Sequence, residues 1–230
     1  MSMSLTPLAD WRAAQVPTTT ALTGRYIRLQ ALQPTEHGDL LWQVLQGPNA
    51  DPQLWDYLPY GPFANRSAFD SWLSGCANGR DPLFFCLIEQ SSGRAVGLIS
   101  LLNILPADGC IEIGHVLFGA PLQRTPGASE AIYLLAQWAF EVLGYRRVEW
   151  KCNAANARSQ RAAERLGFTY EGLFRQHRVV KSHNRDTAWY SLLDHEWPTC
   201  RRAFEHWLAA GNFDSQGQQK QRLQDFRTQG

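Results

Sequence analysis

Three groups of residues in the middle of the chain have types and spacing suited to chemistry. The first is Glu112, inside the apolar run Cys110–Phe118 (CIEIGHVLF). Strand alternation puts Ile111, Ile113 and Leu117 on one face and Glu112, Gly114, Val116 and Phe118 on the other, with His115 sharing the face of Ile113. A carboxylate at such a position must be paired, hydrated or used, because an uncompensated charge is costly to bury. A structural ion pair and a solvent-reaching cleft both meet that requirement, and the sequence leaves both open. His115 reads first as a satisfied core or edge residue. The second group is Gln123, Arg124, Thr125, Pro126, Gly127, Ala128 and Ser129, directly ahead of a helix with Ala128, Ile132, Leu135, Ala139 and Leu143 as its buried stripe. Free N–H groups at a helix start hold anions, and the helix dipole adds about 0.3–1 kcal/mol. The stretch is neither a G-x-G-x-x-G nor a Walker motif. The third is N-x-x-S-x-x-x-x-E-x-L-G-F from Asn156 to Phe168, with Ser159, Glu164, Leu166 and Gly167 between. Asn156 is a good N-cap and Gly167 the matching glycine past the helix end, and capping alone accounts for both.

Periodicity and punctuation give the elements that must position these groups. Thr23–Leu32 alternates as a first strand, and Glu36–Gln46 carries Leu40, Leu41, Val44 and Leu45 at helical spacing. Gly47–Pro82 interleaves prolines and glycines with Trp55, Tyr57, Tyr60, Phe63 and Trp72, and a short helix is expected over Arg66–Leu73. Irregular sequence of this length is a binding loop or a surface loop pinned by its rings. Leu83–Glu89 and Ala95–Leu102 form a hairpin, and strands follow at Cys110–Phe118 and Arg147–Cys152. Leu173–Val180 and Thr187–Leu193 flank the turn sequence KSHNRD (181–186), and a helix covers Pro198–Ala210. The order predicts an α+β (mixed α/β) fold with helices on the faces of one sheet. Residues 1–21 read as a loosely attached arm, 22–197 as the domain, and 198–230 as a helical extension with a Gln-rich end.

A chain of 230 residues buries a proper core. With 22 basic and 21 acidic residues and no Lys/Arg block, the charge balance argues against a nucleic-acid groove built on bulk electrostatics. The five cysteines have no C-x-x-C spacing and read as reduced thiols of a cytoplasmic protein rather than a disulfide framework or a metal site. The N-terminus has no signal-type apolar core, and Ala131–Leu143 is too short to span a bilayer. A soluble cytoplasmic protein without nucleic-acid or membrane partners is expected. Nine tryptophans serve core packing or line a cleft.

Gln123–Ser129 before one helix and Asn156–Phe168 after the next strand, taken together, resemble the acyl-CoA-binding core of the GNAT superfamily of N-acetyltransferases. The resemblance is strongest to the branch holding the ribosomal-protein N-terminal alanine and serine acetyltransferases. It runs from about Leu22 to Trp197 and includes Leu22-x-Gly24-Arg25 and Glu112-Ile113-Gly114. In the family pattern Gln/Arg-x-x-Gly-x-Gly/Ala, Pro126 stands at the first glycine and offers no N–H. The resemblance implies a mostly antiparallel twisted sheet, splayed into a V between strands 4 and 5 (Ile111–Phe118 and Arg147–Cys152). It implies pantetheine bound to the backbone of Val116, Leu117 and Phe118, with Leu117 N–H polarising the carbonyl. The pyrophosphate falls to Gln123, Arg124, Thr125, Gly127, Ala128 and Ser129, and Asn156 and Ser159 lie near the thioester. Many members carry a Tyr seven residues after the Asn to protonate the leaving thiolate; Ala163 stands there, which passes the role to Ser159. Arg158, Arg161 and Arg165 share a helix face that is either solvated or meets the 3′-phosphate.

On this reading an amine attacks acetyl-CoA directly, through a tetrahedral intermediate, with Glu112 as general base. Trp55, Tyr57, Tyr60, Phe63 and the turn at Lys181–Arg185 grip the acceptor. An α-amine with a pKa of about 7.7–8.0 is roughly a tenth neutral at pH 7, against about 0.04% for a lysine amine, which favours a protein or peptide N-terminus or a weakly basic small amine. Three other readings remain: a larger donor such as succinyl-CoA, a non-catalytic acyl-CoA sensor suggested by Pro126 and Ala163, and an oligomerising scaffold. A homo-oligomer is left open by the extension after Pro198.

Overall fold

Apolar runs rich in Ile, Leu, Val and Phe build the centre of one continuous sheet, a long and largely exposed strand forms one edge, and the amphipathic segments between the strands cover its two faces. The computed structural model describes residues 8–228. Its strands are β1 (Leu22–Thr23), β2 (Ile27–Ala31), β3 (Leu83–Glu89), β4 (Ala95–Leu105), β5 (Cys110–Phe118), β6 (Arg147–Asn153), β7 (Thr169–Val180) and β8 (His183–Leu193). They lie in the order β1-β2-β3-β4-β5-β6-β8-β7. Helices α1 (Pro34–Gln46) and α2 (Arg66–Asn78) pack on one face around Leu41, Leu45, Phe69 and Leu73. On the other face lie α3 (Pro126–Gln137, continued by a π-helical turn, Trp138–Val142), α4 (Ala157–Leu166), α5 (Trp197–Leu208) and α6 (Leu223–Arg227).

Every neighbouring pair is antiparallel except β5–β6, which is parallel and held only at Cys110–Arg147, Ile111–Val148 and Glu112–Glu149. Past Glu112 the two strands part, so the edge of β5 facing β6 has no strand partner there. The expected V is present, and it falls between the fifth and sixth strands because the two-residue β1 precedes the first predicted one.

The face assignment along β5 is corrected by the structure. Leu98 pairs with Leu117 but Ser100 pairs with Gly114, so β5 carries an extra residue, and His115 sits at φ 48°. A bulge of this kind reverses the alternation beyond it. Ile111 and Ile113 face α3, whereas Leu117 packs on the α1–α2 side, and Val116 and Phe118 join the α3 side instead. His115 lies against Phe84 and Tyr60, away from Ile113.

Several elements are longer than predicted. Asn65 caps α2 by accepting from Ala68 N at 2.9 Å, and the helix continues to Asn78. β7 begins at Thr169 rather than Leu173 and β8 at His183 rather than Thr187, and Lys181 and Ser182 join them with φ of 49° and 62°. The turn expected over 181–186 is confined to its first two residues; two positive φ values in a two-residue hairpin loop usually go with Asn-Gly, so Lys-Ser did not mark the tight turn itself.

The described part of the arm is irregular but tied down, contrary to the loose attachment expected. Trp11 Nε1 donates to Ala107 O at 3.1 Å, and Ala14 N and Gln15 N donate to Pro106 O and Leu143 O. Residues 1–7 lie outside the described residues. The extension packs on its own domain: Cys200, Ala203, Phe204 and Trp207 of α5 and Leu223 of α6 belong to the core on the α3 side.

One buried carboxylate locks the first hairpin to α3. Glu130 accepts from the backbone N–H groups of Arg25, Tyr26 and Ile27 at 2.8, 2.6 and 2.9 Å. A Cβ on Gly24 would collide with that carboxylate. Gly24→Ala is therefore expected to lower stability by about 1–3 kcal/mol, the usual cost of overpacking; unfolding in urea with an unchanged midpoint would refute the contact's importance.

Candidate active site

The gap between β5 and β6 opens into a single cleft of about 1150 Å³ that reaches both faces of the sheet. Strand parity sorts its walls. Along β6, Val148, Trp150 and Cys152 belong to the core on the α3–α4 side, so Glu149, Lys151 and Asn153 point to the opposite face.

On the α3–α4 side, Pro126 occupies the first position of α3, where its missing N–H costs the helix nothing and its fixed φ suits the turn. The N–H groups of Gly127, Ala128 and Ser129 follow, in the part of a helix that lacks intrahelical acceptors. Gln123 Nε2 donates to Phe118 O at 3.0 Å, and Arg124 sits at φ 61°, folding the chain back into the helix start. Gln123, Arg124, Thr125, Ala128 and Ser129 line the cleft; Gly127 is buried against Leu122 and Tyr26. Facing them, Arg158, Arg161 and Arg165 of α4 all line the same wall. Arg165 donates to Ser129 Oγ at 2.7 Å, which ties the two helices together. The far end is closed by the extension, through Trp207, Phe213, Gln219 and Arg222. None of these four was singled out beforehand, because nothing local to the extension marks the helices it packs on.

Asn156 caps α4 by accepting from Ser159 N at 3.0 Å, and Gly167 ends it at φ 102°, as the spacing predicts. Ser159 Oγ accepts from Trp150 Nε1 at 3.0 Å and lies beside Cys152, whose thiol pKa burial raises and the Ser159 contact lowers. The hydroxyl proton of Ser159 is therefore not consumed by the indole.

On the other face, Glu112 is 5% exposed. Both alternatives left open for it hold together: it lines the cleft, and its Oε2 accepts from Lys151 Nζ at 2.8 Å and Asn103 Nδ2 at 2.6 Å. Lys151 also meets Glu149 Oε2 at 2.7 Å and lies 4.0 Å from the ring centre of Trp189. Burial pushes the Glu112 carboxyl above the usual carboxylate range, and Lys151 pulls against it. Lys151 was missed, although its odd parity beside buried Val148, Trp150 and Cys152 was the available signal. His115, 2.6 Å from Tyr60 Oη through Nδ1, is pushed down to about 4, first by burial and then by the charge of Arg185.

The loop between α1 and α2 crosses the mouth of the cleft. Tyr57 Oη donates to Ala155 O at 3.2 Å, Lys181 Nζ donates to Trp55 O at 2.8 Å, and Asp51 meets Arg158 at 3.4 Å. Of the four aromatic residues expected to grip an acceptor, Tyr57 lines the cleft. Trp55 is buried, with its indole on Leu45 O, and packs with Tyr60, Phe63 and Trp72 behind the wall. Among the expected cofactor residues, Val116, Phe118, Asn156 and Ser159 line the cleft, whereas the Leu117 side chain is turned into the α1–α2 core.

Residues 27–169 match the family model described as an acetyltransferase (GNAT) domain, which spans the V, the α3 turn and the α4 motif. The chain belongs to the GNAT acetyltransferase family. A GCN5-related N-acetyltransferase from Brucella melitensis, known from its crystal structure, superposes with a TM-score of 0.94 at 47% identity, covering 96% of this chain and all of that one. The "Uncharacterized N-acetyltransferase p20" of Bacillus licheniformis is 29% identical over 170 residues, 70% of this chain and 90% of that protein. YdaF of Bacillus subtilis (strain 168), whose name assigns it provisionally to ribosomal N-acetylation, is 32% identical over 105 residues, 46% of this chain and 57% of its own length. The resemblance seen in the two motifs is thus a family relationship, and this GNAT protein is an acyl-CoA-dependent acyltransferase. Among the described residues no helix is long and apolar enough to cross a membrane, and no group of three or more His, Cys, Asp or Glu side chains is placed to hold a metal ion.

Proposed function

We propose that this enzyme transfers the acetyl group of acetyl-CoA to a primary amine by direct attack, with donor and acceptor entering from opposite faces of the sheet. The observation that carries this reading is the single cleft passing between β5 and β6, with a cationic helix-terminus wall on one face and Glu112 on the other. Its volume of about 1150 Å³ exceeds the roughly 300–1,000 Å³ of an ordinary small-ligand pocket and suits a large cofactor together with an acceptor.

The residues on the α3–α4 side fit a pyrophosphate-bearing donor. The first N–H groups of α3 and the side chains of Arg124 and Arg161 offer donors and positive charge. The unpaired edge of β5 offers the backbone groups of Val116 and the N–H of Phe118 to an amide-bearing arm, whereas the Leu117 N–H, expected to polarise the acyl carbonyl, is directed at Leu98 of β4. The donor supplies an activated thioester. Glu112, directly or through one water, accepts the proton of the attacking amine and later returns it to solvent. Ser159 points its O–H as a hydrogen bond at the departing thiolate, keeping its own proton while Trp150 holds the oxygen; the thiolate takes up its proton from solvent.

Release of free thiol from acetyl-CoA in the presence of a mixed amine panel tests the reading; release no faster than in the absence of amine would overturn it. In the same assay Ser159→Ala is expected to lower kcat by about tenfold to a hundredfold, at or below the low end for a positioned proton donor, because a thiolate with a pKa near 8.5 already leaves well. A kcat equal to that of the wild type would remove Ser159 from the mechanism.

A further inference from the structure

The acceptor face carries a pair of cations that the transfer chemistry above does not use. Arg178 of β7 and Arg185 of β8 are directly opposed in the antiparallel register, and both line the cleft. Like charges placed directly opposite each other on a sheet are destabilising, so the arrangement needs a compensating anion or a solvent-exposed escape. Arg178 has the escape, being exposed, but Arg185 is half-buried and its Nε has no hydrogen-bond partner. Among the described residues neither guanidinium makes an ion pair, since the neighbouring carboxylates are committed elsewhere. Asp186 Oδ1 accepts from Gln176 N and Asn184 Nδ2, and Glu112 is held by Lys151 and Asn103. An unsatisfied buried guanidinium donor costs more than an ordinary orphaned group, and its fork geometry matches a planar oxyanion.

Parity fixes where this cation stands. On β8, Ala188, Tyr190 and Leu192 belong to the α3–α4 core, so Arg185 and Thr187 share the opposite face with Glu112 and Lys151. Burial lowers the Arg185 pKa, while the Glu112 charge raises it, which places the two groups within electrostatic reach of each other. Resting on the proposed acetyl transfer, the geometry points to an acceptor that carries an oxyanion: an amine bearing a carboxylate or phosphate, with the amine at Glu112 and the oxyanion on Arg185, assisted by Arg178. The α-carboxylate of a free amino acid, the side-chain carboxylate of an acidic peptide N-terminus and a phosphorylated amine share that chemistry.

The test compares matched acceptors with the wild-type enzyme and acetyl-CoA: free amino acids against their amides, Asp- and Glu-initiated dipeptide amides against Asn and Gln counterparts, and phosphoethanolamine against ethanolamine. At least one charged member is expected to exceed its neutral counterpart by tenfold or more in kcat/KM, a discrimination of about 1.4 kcal/mol, and the winning pair identifies the source of the oxyanion. In Arg185→Gln that ratio falls towards one, and Arg185→Lys restores part of it. Equal kcat/KM within every pair overturns the oxyanion site and leaves acetyl transfer standing. A ratio that survives in Arg185→Gln likewise overturns the assignment. Absence of thiol release with every amine overturns acetyl transfer itself and the inference with it. The wild-type comparison needs no variant, so a poorly folding Arg185→Gln does not shelter the proposal.

Discussion

Glu112→Gln lowers kcat for acetyl transfer by about 10²–10⁴-fold, the range lost with a positioned general base, and leaves the KM for acetyl-CoA nearly unchanged. The substitution keeps the shape of the side chain and removes only the ability to take a proton. It does not strand a buried cation, because Lys151 retains Glu149 at 2.7 Å. The fold should therefore survive, and the thermal midpoint serves as the control. The pH profile supplies the more specific readout. A base works when deprotonated, so kcat/KM of the wild type rises as pH climbs through the Glu112 pKa, which burial has moved above the ordinary carboxylate range. A second rise follows as the amine itself loses its proton. In the Gln variant the first rise disappears and the second remains. The same raised pKa acts on stability in the opposite sense. Its contribution is full below the unfolded carboxyl's pKa and is lost as pH rises through the folded value. A variant with wild-type kcat, or one that keeps the acidic limb, would assign the base to another group.

The largest effect on stability is expected from Glu130→Ala. That carboxylate satisfies three backbone donors in succession, and the one at Ile27 lies on a fully buried residue. Each orphaned buried donor costs about 1–3 kcal/mol, and the N–H groups of Arg25 and Tyr26 regain part of that from water, giving a loss of about 3–5 kcal/mol. For a chain of this size the thermal midpoint falls by roughly 10 °C or more. Glu130→Gln keeps one acceptor oxygen and should lose about half as much. The effect extends to function because Glu130 lies one residue beyond Ser129, so the same contact fixes the start of α3 against the sheet. Weaker acetyl-CoA binding should accompany the lower midpoint. A Glu130→Ala protein that melts within about 2 °C of the wild type would show that water replaces the carboxylate at little cost.

Local signals carried most of the scaffold. The strands at Leu83–Glu89 and Cys110–Phe118 and both caps of α4 stand where spacing and residue type placed them, since period-two alternation, an Asn N-cap and a glycine at positive φ depend on a few adjacent residues. The two motifs flanking the long helix were enough to name the family, because each is contiguous in sequence. Pro126, a departure from the motif, proved to be at home as the first residue of α3.

What the sequence determined by itself was the order of elements and, through the two motifs, the resemblance to the family, which in turn implied the V between the strands at 111–118 and 147–152. Tertiary structure alone decided which side chains meet inside that V. Glu112 and Lys151 are 39 residues apart, Tyr57 and Ala155 are 98 apart, and no periodicity relates them. The bulge at His115 is a single inserted residue that leaves the apolar pattern of β5 intact while reversing the faces of everything after it. The opposed arginines became visible only once the register of β7 on β8 was known, because a one-residue slip would have turned Arg178 to the other face. Secondary structure follows from neighbours along the chain; a site follows from which faces of distant elements are brought together, and that is settled by packing.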